Sequence, residues 1–283
     1  MNKISKIKDI LICPETKNEL FFKKNFFYSK KNKKKYQIYK NKIFFNKNKK
    51  KVTNIVNFKD FLKNKLGDYY YIFLKLFGPT FPFNIKKEIK KYINFDNNKL
   101  NCLDLGSGNL SLSESFINLD FYPYKKVNVV GDAKNLPFKN NSLDFVYSKS
   151  FLEHSDNPER IVNEIYRVMK PKSYTIHSIP FMYPYHASPF DYNRYTEEGI
   201  KILFKKFKVV NIININGPFT LINVFLVEIV NSLLKMINKN IATIASTIFM
   251  ILISPLKYLD IFFIRNKNFS SLAPNYLVIA KKN

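Results

Sequence analysis

The chain has 283 residues, 46% of them hydrophobic and 24% charged, with a formal net charge of +26. Length and apolar content allow a proper core in one large α/β domain with additions, while Cys13 and Cys102 alone exclude a disulfide framework or a cysteine-built zinc cluster, so no metal is expected. Such a charge would ordinarily point to nucleic acid or an anionic membrane. However, all but 4 of the 47 basic residues are Lys, and Lys, Asn, Ile and Phe abound while Gly totals 7 and Trp is absent. A/T-rich codons produce that pattern, which discounts the charge as evidence of a partner. The N-terminal MNKISKIKDILICPETK has no uninterrupted apolar run of signal-peptide length, and the expected location is cytoplasmic.

In chain order, residues 1–51 read as a small basic β module. Leu11-Ile12-Cys13-Pro14, Leu20, Tyr28 and the run from Tyr36 to Phe45 resemble a short zinc-ribbon-like domain. A zinc ribbon needs paired thiolates at C-x-x-C spacing, but Thr16 stands at the partner position, so a metal-free module is expected. Residues 23–51 hold thirteen Lys and no acid. They form either a surface for phosphates of RNA or lipid headgroups or a solvated face enlarged by codon bias. Residues 52–98 are a helical lead-in punctuated by Gly67 and Gly78-Pro79, with a last helix predicted over 84–93.

Residues 99–283 hold the motifs. Residues 100–105 read as a short buried strand ending in Asp104-Leu105-Gly106-Ser107-Gly108, where two glycines let the backbone turn tightly and approach a ligand closely. A second apolar run, 116–119, ends in Asp120, a carboxylate suited to two ribose hydroxyls. A third, 127–130, delivers Gly131-Asp132-Ala133. A nicotinamide-binding loop would require G-x-G-x-x-G, and here the third position is Ser111. Residues 142–147 read as strand four, ending at Ser148; Asn157-Pro158-Glu159 starts a helix that stops at Lys170-Pro171. Residues 174–179 read as strand five.

An acid after strand one, an acid after strand two and Gly-Asp-Ala after strand three, followed by Leu136-Pro137-Phe138, Phe151-Leu152-Glu153-His154 and Glu164 to Pro171, resemble the class I S-adenosylmethionine-dependent methyltransferases of type 11. The resemblance implies an α/β, Rossmann-like fold with a seven-stranded, mostly parallel sheet, and S-adenosylmethionine as cofactor. It also implies roles: Asp104, Gly106 and Gly108 on the methionine side, Asp120 at the ribose, Asp132 and Ala133 at the adenine, and Ser148 and Leu152 lining the pocket. In this light the N-terminal module is similar to one found alone as a methyltransferase activator or fused ahead of such a domain. Only residues 109–115 are left for the fold's first helix, a short crossover.

Pro180-Phe181-Met182-Tyr183-Pro184-Tyr185-His186 and Pro189-Phe190-Asp191-Tyr192-Asn193-Arg194-Tyr195-Thr196 resemble a subgroup of small-molecule or glycan-associated methyltransferases. His186 and His154 are the candidate bases, because imidazole titrates near neutrality. Asp191, Arg194 and Tyr195 are candidate substrate contacts, with an Asp191–Arg194 pair that merely pins the loop as the competing reading. His177, inside strand five, reads as a core histidine.

The last strands, predicted over 207–213 and 276–281, are separated by a hydrophobic helical insertion, 217–270. Residues 219–238 read as an amphipathic helix, and 240–256 hold seventeen uncharged residues, at the lower limit for crossing a bilayer. Helices packed on the domain, an in-plane anchor or reentrant hairpin, and a true span all remain open. The expected function is O- or N-methylation of a small-molecule, glycan or lipid-linked acceptor, with peripheral contact at the inner face of the membrane. The alternative is an RNA-binding protein or RNA methyltransferase using the Lys-rich module.

Overall fold

The computed structural model describes residues 3–46, 65–97, 99–187 and 189–283. The end of the lysine run, the start of the lead-in and Ser188 in the proline-rich loop lie outside the described residues. Eleven strands are named in chain order: β1 (Phe21–Lys23), β2 (Phe26–Tyr28), β3 (Lys35–Tyr39), β4 (Lys42–Phe44), β5 (Cys102–Leu105), β6 (Ile117–Asp120), β7 (Val129–Val130), β8 (Leu143–Lys149), β9 (Met169–Pro180), β10 (Lys208–Asn214) and β11 (Asn275–Lys281). The helices are α1 (Lys3–Ile7), α2 (Asp68–Phe77), α3 (Ile85–Ile89), α4 (Pro158–Val168), α5 (Glu197–Leu203), α6 (Pro218–Lys235) and α7 (Lys239–Ile253).

One sheet takes all the strands, in the order β1-β2-β3-β4-β7-β6-β5-β8-β9-β11-β10. The predicted seven are its right-hand part. β5 pairs in parallel with β6 and β8, β6 with β7 and β8 with β9, while β11 runs antiparallel to both β9 and β10. The central strands are buried on both faces, which explains why they read as continuous apolar runs. Helix α4 forms as its caps predict: Asn157 accepts from Arg160 N, Pro158 opens the first turn, and Ile161, Val162, Ile165 and Val168 face the core.

Two expectations need correction. The N-terminal strands are not a separate module. β4 pairs in parallel with β7, and Ile4, Ile7, Leu11, Phe27, Tyr36 and Ile43 share one core with Leu103, Leu119 and Val146. Burying these apolar side chains against the neighbouring strands removes them from water. Cys13 Sγ lies 3.1 Å from Tyr36 Oη and accepts from Thr16 N, so Thr16 addresses the sulfur through its backbone.

The first crossover contains no helix. Its turns are closed by Leu112 N donating to the Asp104 carboxylate and by Ser111 Oγ donating to Ser113 O and Asn118 Oδ1. Serines and an acid compete for backbone groups here, and a segment this short has no apolar face to bury. Lysine also has a role that the sequence reading of the charge does not include. Lys3, Lys6, Lys42, Lys257 and Lys282 each aim their ammonium at main-chain carbonyls; Lys42 alone holds those of Tyr124, Lys125 and Val127. Part of the basic charge is therefore internal structure.

The insertion leaves β10 and returns to β11 through α6, α7 and short 3-10 turns at Ser254–Phe262 and Lys267–Leu272. Two fully buried charges fasten it. The Asp260 carboxylate accepts from Gly217 N, Phe219 N and Thr220 N, capping the positive end of α6. Lys257 Nζ donates to Lys75 O, Leu76 O and Gly78 O, capping the negative end of α2. Replacing Asp260 with Ala orphans three buried N–H groups and should cost about 2–4 kcal/mol, read as a fall in the thermal midpoint, with Asp260→Asn recovering part of it. An unchanged midpoint would mean that the α6 terminus is held by something else.

Candidate active site

The strands β5, β6, β7, β8 and β9 all end at one edge of the sheet, where an open parallel sheet binds its ligands. Asp104 closes on this edge from β5. It is 5% exposed, and burial pushes its carboxyl up to about 7 against the lowering pull of the Leu112 N–H; the nearby Asp120 charge adds to the rise and Lys149 opposes it. Asp120, at the tip of β6, accepts from Gly108 N at 2.9 Å and from Tyr122 N at 3.0 Å. Its carboxyl is also raised by burial, with those N–H groups pulling the other way.

The two glycines do different jobs. Gly106 has φ +68°, and a Cβ there would fall 2.1 Å from the Phe151 ring, so its missing side chain makes room for Phe151. Gly108 has φ +56° and only open space around the Cβ position. Between them, Ser107 Oγ is buried with no hydrogen-bond partner among the described residues. Asp132 accepts from Lys134 N and caps the 3-10 turn Ala133–Asn135, whose Ala133 is buried.

Ser148 and Leu152 are expected to line the pocket. Both are fully buried. The Ser148 hydroxyl lies 2.7 Å from His177 Nδ1, and Thr175 Oγ1, which donates to Val146 O, lies 2.6 Å from His177 Nε2. Thr175 can then accept only from Nε2–H, which leaves Nδ1 to accept from Ser148. Burial pushes His177 down to about 3, so it is a neutral core strut.

The proline-rich loop brings His154 and His186 together, ring centroids 5.1 Å apart and edge to face. Asp191 and Arg194 are spent on the loop itself. The Arg194 guanidinium grips the Asp191 carboxylate and donates to Tyr183 O, Pro184 O and Asn193 O, while Asp191 accepts from His186 N. Burial opposes the Asp191 charge, but the Arg194 and His186 hydrogen bonds outweigh it and hold the carboxyl at about 2. Tyr195 turns its hydroxyl inward, buried and without a partner among the described residues. Burial, then the charge of Glu153, pushes that phenol up to about 12. Phe151 and Glu153 are site residues that the sequence reading passed over. An acid beside His154 at a strand end was the available signal.

Residues 96–177 match the family model described as a methyltransferase domain. This segment carries a methyltransferase domain. No curated protein matches the chain. Among solved structures, phosphoethanolamine N-methyltransferase 2 of Haemonchus contortus, in complex with S-adenosylhomocysteine, is 18% identical over 81% of this chain, with a TM-score of 0.43; the chain spans 60% of that enzyme's length. A methyltransferase from Methanosarcina mazei is 14% identical over 69% of this chain and 96% of its own, with a TM-score of 0.40. One from Aquifex aeolicus is 17% identical over 56% of this chain and 92% of its own, with a TM-score of 0.39.

The family's cofactor, S-adenosylmethionine, fits these residues. Two carboxylates at this edge favour a cationic ligand, Ser107 Oγ lacks a partner among the described residues, and Gly108 leaves backbone open to approach. Because the folded state holds the Asp104 proton more tightly than the unfolded chain, this group stabilises the fold fully below about pH 4 and loses that contribution as pH rises towards about 7. Asp104→Asn should therefore raise the thermal midpoint more at pH 8 than at pH 4, an ordering that reversal in calorimetry would overturn. Asp120→Ala should weaken S-adenosylhomocysteine binding by about 1–3 kcal/mol; unchanged affinity by titration calorimetry would remove Asp120 from the site.

Proposed function

We propose that the chain transfers the methyl group of S-adenosylmethionine to an oxygen or nitrogen of an acceptor presented at a membrane surface, a lipid-linked glycan or small molecule being the best fit. When bound, the cofactor supplies an already activated sulfonium methyl, so the protein's own work is orientation and proton removal. Asp104 would face the cationic methionine end, Asp120 the ribose, and Ala133 with the Asp132-capped turn the adenine. His154 and His186 stand at the neighbouring strand ends as the groups able to take the acceptor's proton.

One observation carries the choice of acceptor: the insertion exposes apolar surface at the edge that also holds the site. Because β11 is antiparallel to both β9 and β10, β10 runs the same way as β9, and the insertion both leaves and returns beside the ends of β8 and β9. Pro218–Lys235 and Lys239–Phe262 are each long and apolar enough to cross a membrane, with mean hydropathies of 1.4 and 1.6, yet only 17% and 22% of those stretches are buried. Met236, Ile237, Ile244, Ile248 and Leu252 stand in water. Singly exposed apolar residues are ordinary, but a continuous field of them marks an interaction surface. Lys257 and Asp260, bound to the ends of α2 and α6, argue for helices lying in the interface rather than crossing it.

Methyl label from S-adenosylmethionine, offered to a cell extract of the source organism, should appear in the lipid or glycan fraction. Label in RNA would transfer the substrate role to the Lys-rich strands. The full chain should co-sediment with phosphatidylglycerol vesicles, and Ile244→Glu with Leu252→Glu should abolish this without lowering the thermal midpoint. Unchanged sedimentation would remove the helix pair from membrane contact.

A further inference from the structure

Beyond β8, the 3-10 turn Leu152–His154 carries an unusual carboxylate. Glu153 is 0% exposed, and neither of its side-chain oxygens has a hydrogen-bond partner among the described residues. Buried carboxylates without donors are costly and rare. What faces this one is imidazole: Glu153 Oε1 lies 3.8 Å from His154 Nε2 and 3.7 Å from His186 Nε2. These distances are too long for hydrogen bonds. One ligating atom from each of the three residues lies within 4.8 Å of the others.

We propose that Glu153, His154 and His186 bind one divalent transition-metal ion, Zn²⁺ being the ion whose ligand preferences they match. Around a tetrahedral zinc with bonds of about 2.0–2.2 Å, neighbouring ligand atoms stand roughly 3.4 Å apart, so a small inward shift of the observed triangle completes the shell. Two imidazoles and one carboxylate with a position left open form a donor set for zinc or iron rather than for magnesium or calcium.

The surroundings orient His154 as a metal requires and place a carboxylate beside His186. His154 Nδ1 lies 2.6 Å from Phe190 O, an acceptor only, so Nδ1 carries the hydrogen and the lone pair of Nε2 points at Glu153. His186 Nδ1 has the Asp191 carboxylate and the Arg194 guanidinium each 3.4 Å away, and its backbone N–H is held by that same carboxylate. A carbonyl or carboxylate behind the imidazole is the usual support of metal-bound histidine; Phe190 O supplies it for His154, and Asp191 is the group placed to supply it for His186. In this arrangement the Arg194–Asp191 pair has a purpose beyond closing the loop, since it fixes the residue that positions His186. The expectation of no metal rested on cysteine, and these donors contain none.

The binding site stands on this geometry alone; a role for the ion in methyl transfer rests on the proposed function. At the ends of β8 and β9 the open position of the ion would take the acceptor's oxygen or nitrogen and ease loss of the proton there, a role that replaces the imidazole bases, since their Nε2 lone pairs would then be on the ion.

The test uses the untagged full chain, stripped with chelator and dialysed against Zn²⁺ or Co²⁺. Wild type should retain one equivalent of Zn²⁺. With Co²⁺ it should show visible d–d bands but no sulfur charge-transfer band in the near ultraviolet. Glu153→Gln and His186→Asn should each weaken retention at least about 10-fold, whereas Cys13→Ser with Cys102→Ser should leave it intact. His186 lies on a surface loop, so its variant serves if Glu153→Gln fails to fold. No retention, equal retention by wild type and both ligand variants, or a charge-transfer band would overturn the proposal. S-adenosylhomocysteine titration on the same samples separates the two readings: metal without nucleoside binding would sink the methyltransferase reading alone, and nucleoside binding without metal would sink this site alone.

Discussion

Parallel pairing about β5 is the constraint on which the rest depends. Because β6, β7, β8 and β9 run in register with it, Asp104, Asp120, Asp132, Glu153 and His186 all emerge at one edge although more than eighty residues separate the first from the last. The antiparallel return of β11 then brings β10, and the helical insertion behind it, to that same edge. Such a sheet is stable only when covered on both faces. On the exposed left side that cover, and the pairing of β7, comes from the N-terminal strands.

Buried charge does the fastening. Asp260 and Lys257 serve opposite helix poles, and each compensates its own desolvation with three hydrogen bonds to backbone groups that would otherwise be orphaned. The exposed apolar helices α6 and α7 are thus held to the domain by their ends while their outer faces stay open. Lys282 repeats the device at the close of α4, donating to Tyr166 O and Met169 O. A strongly basic composition can therefore conceal internal roles: an ammonium on a long stem reaches several carbonyls at once.

Against this well-satisfied background, Glu153 stands out. The carboxylates of Asp191, Asp260 and Glu164 are each engaged by several donors; among the described residues Glu153 points an unpartnered carboxylate at two imidazoles. In a fold that otherwise answers its buried charges, such a group is best understood as answering something that arrives from outside.

The sequence by itself determined the strands β5 to β9, the helix α4 and the acids at strand tips, because each rests on local periodicity, capping or a glycine turn within a few residues. It also determined that His177 belongs to the core and that the hydrophobic insertion separates the last two strands. Tertiary structure decided what each loop residue is spent on. Gly106 makes room for Phe151, Ser148 turns to His177, and Asp191 and Arg194 engage each other. Fusion of the N-terminal strands to β7, the capping by Lys257 and Asp260, and the meeting of His154 with His186 over Glu153 were likewise decided there. These are contacts between residues tens to hundreds of positions apart, and they are set by which strand edges and helix ends come together in space, a quantity that no local pattern of residues encodes.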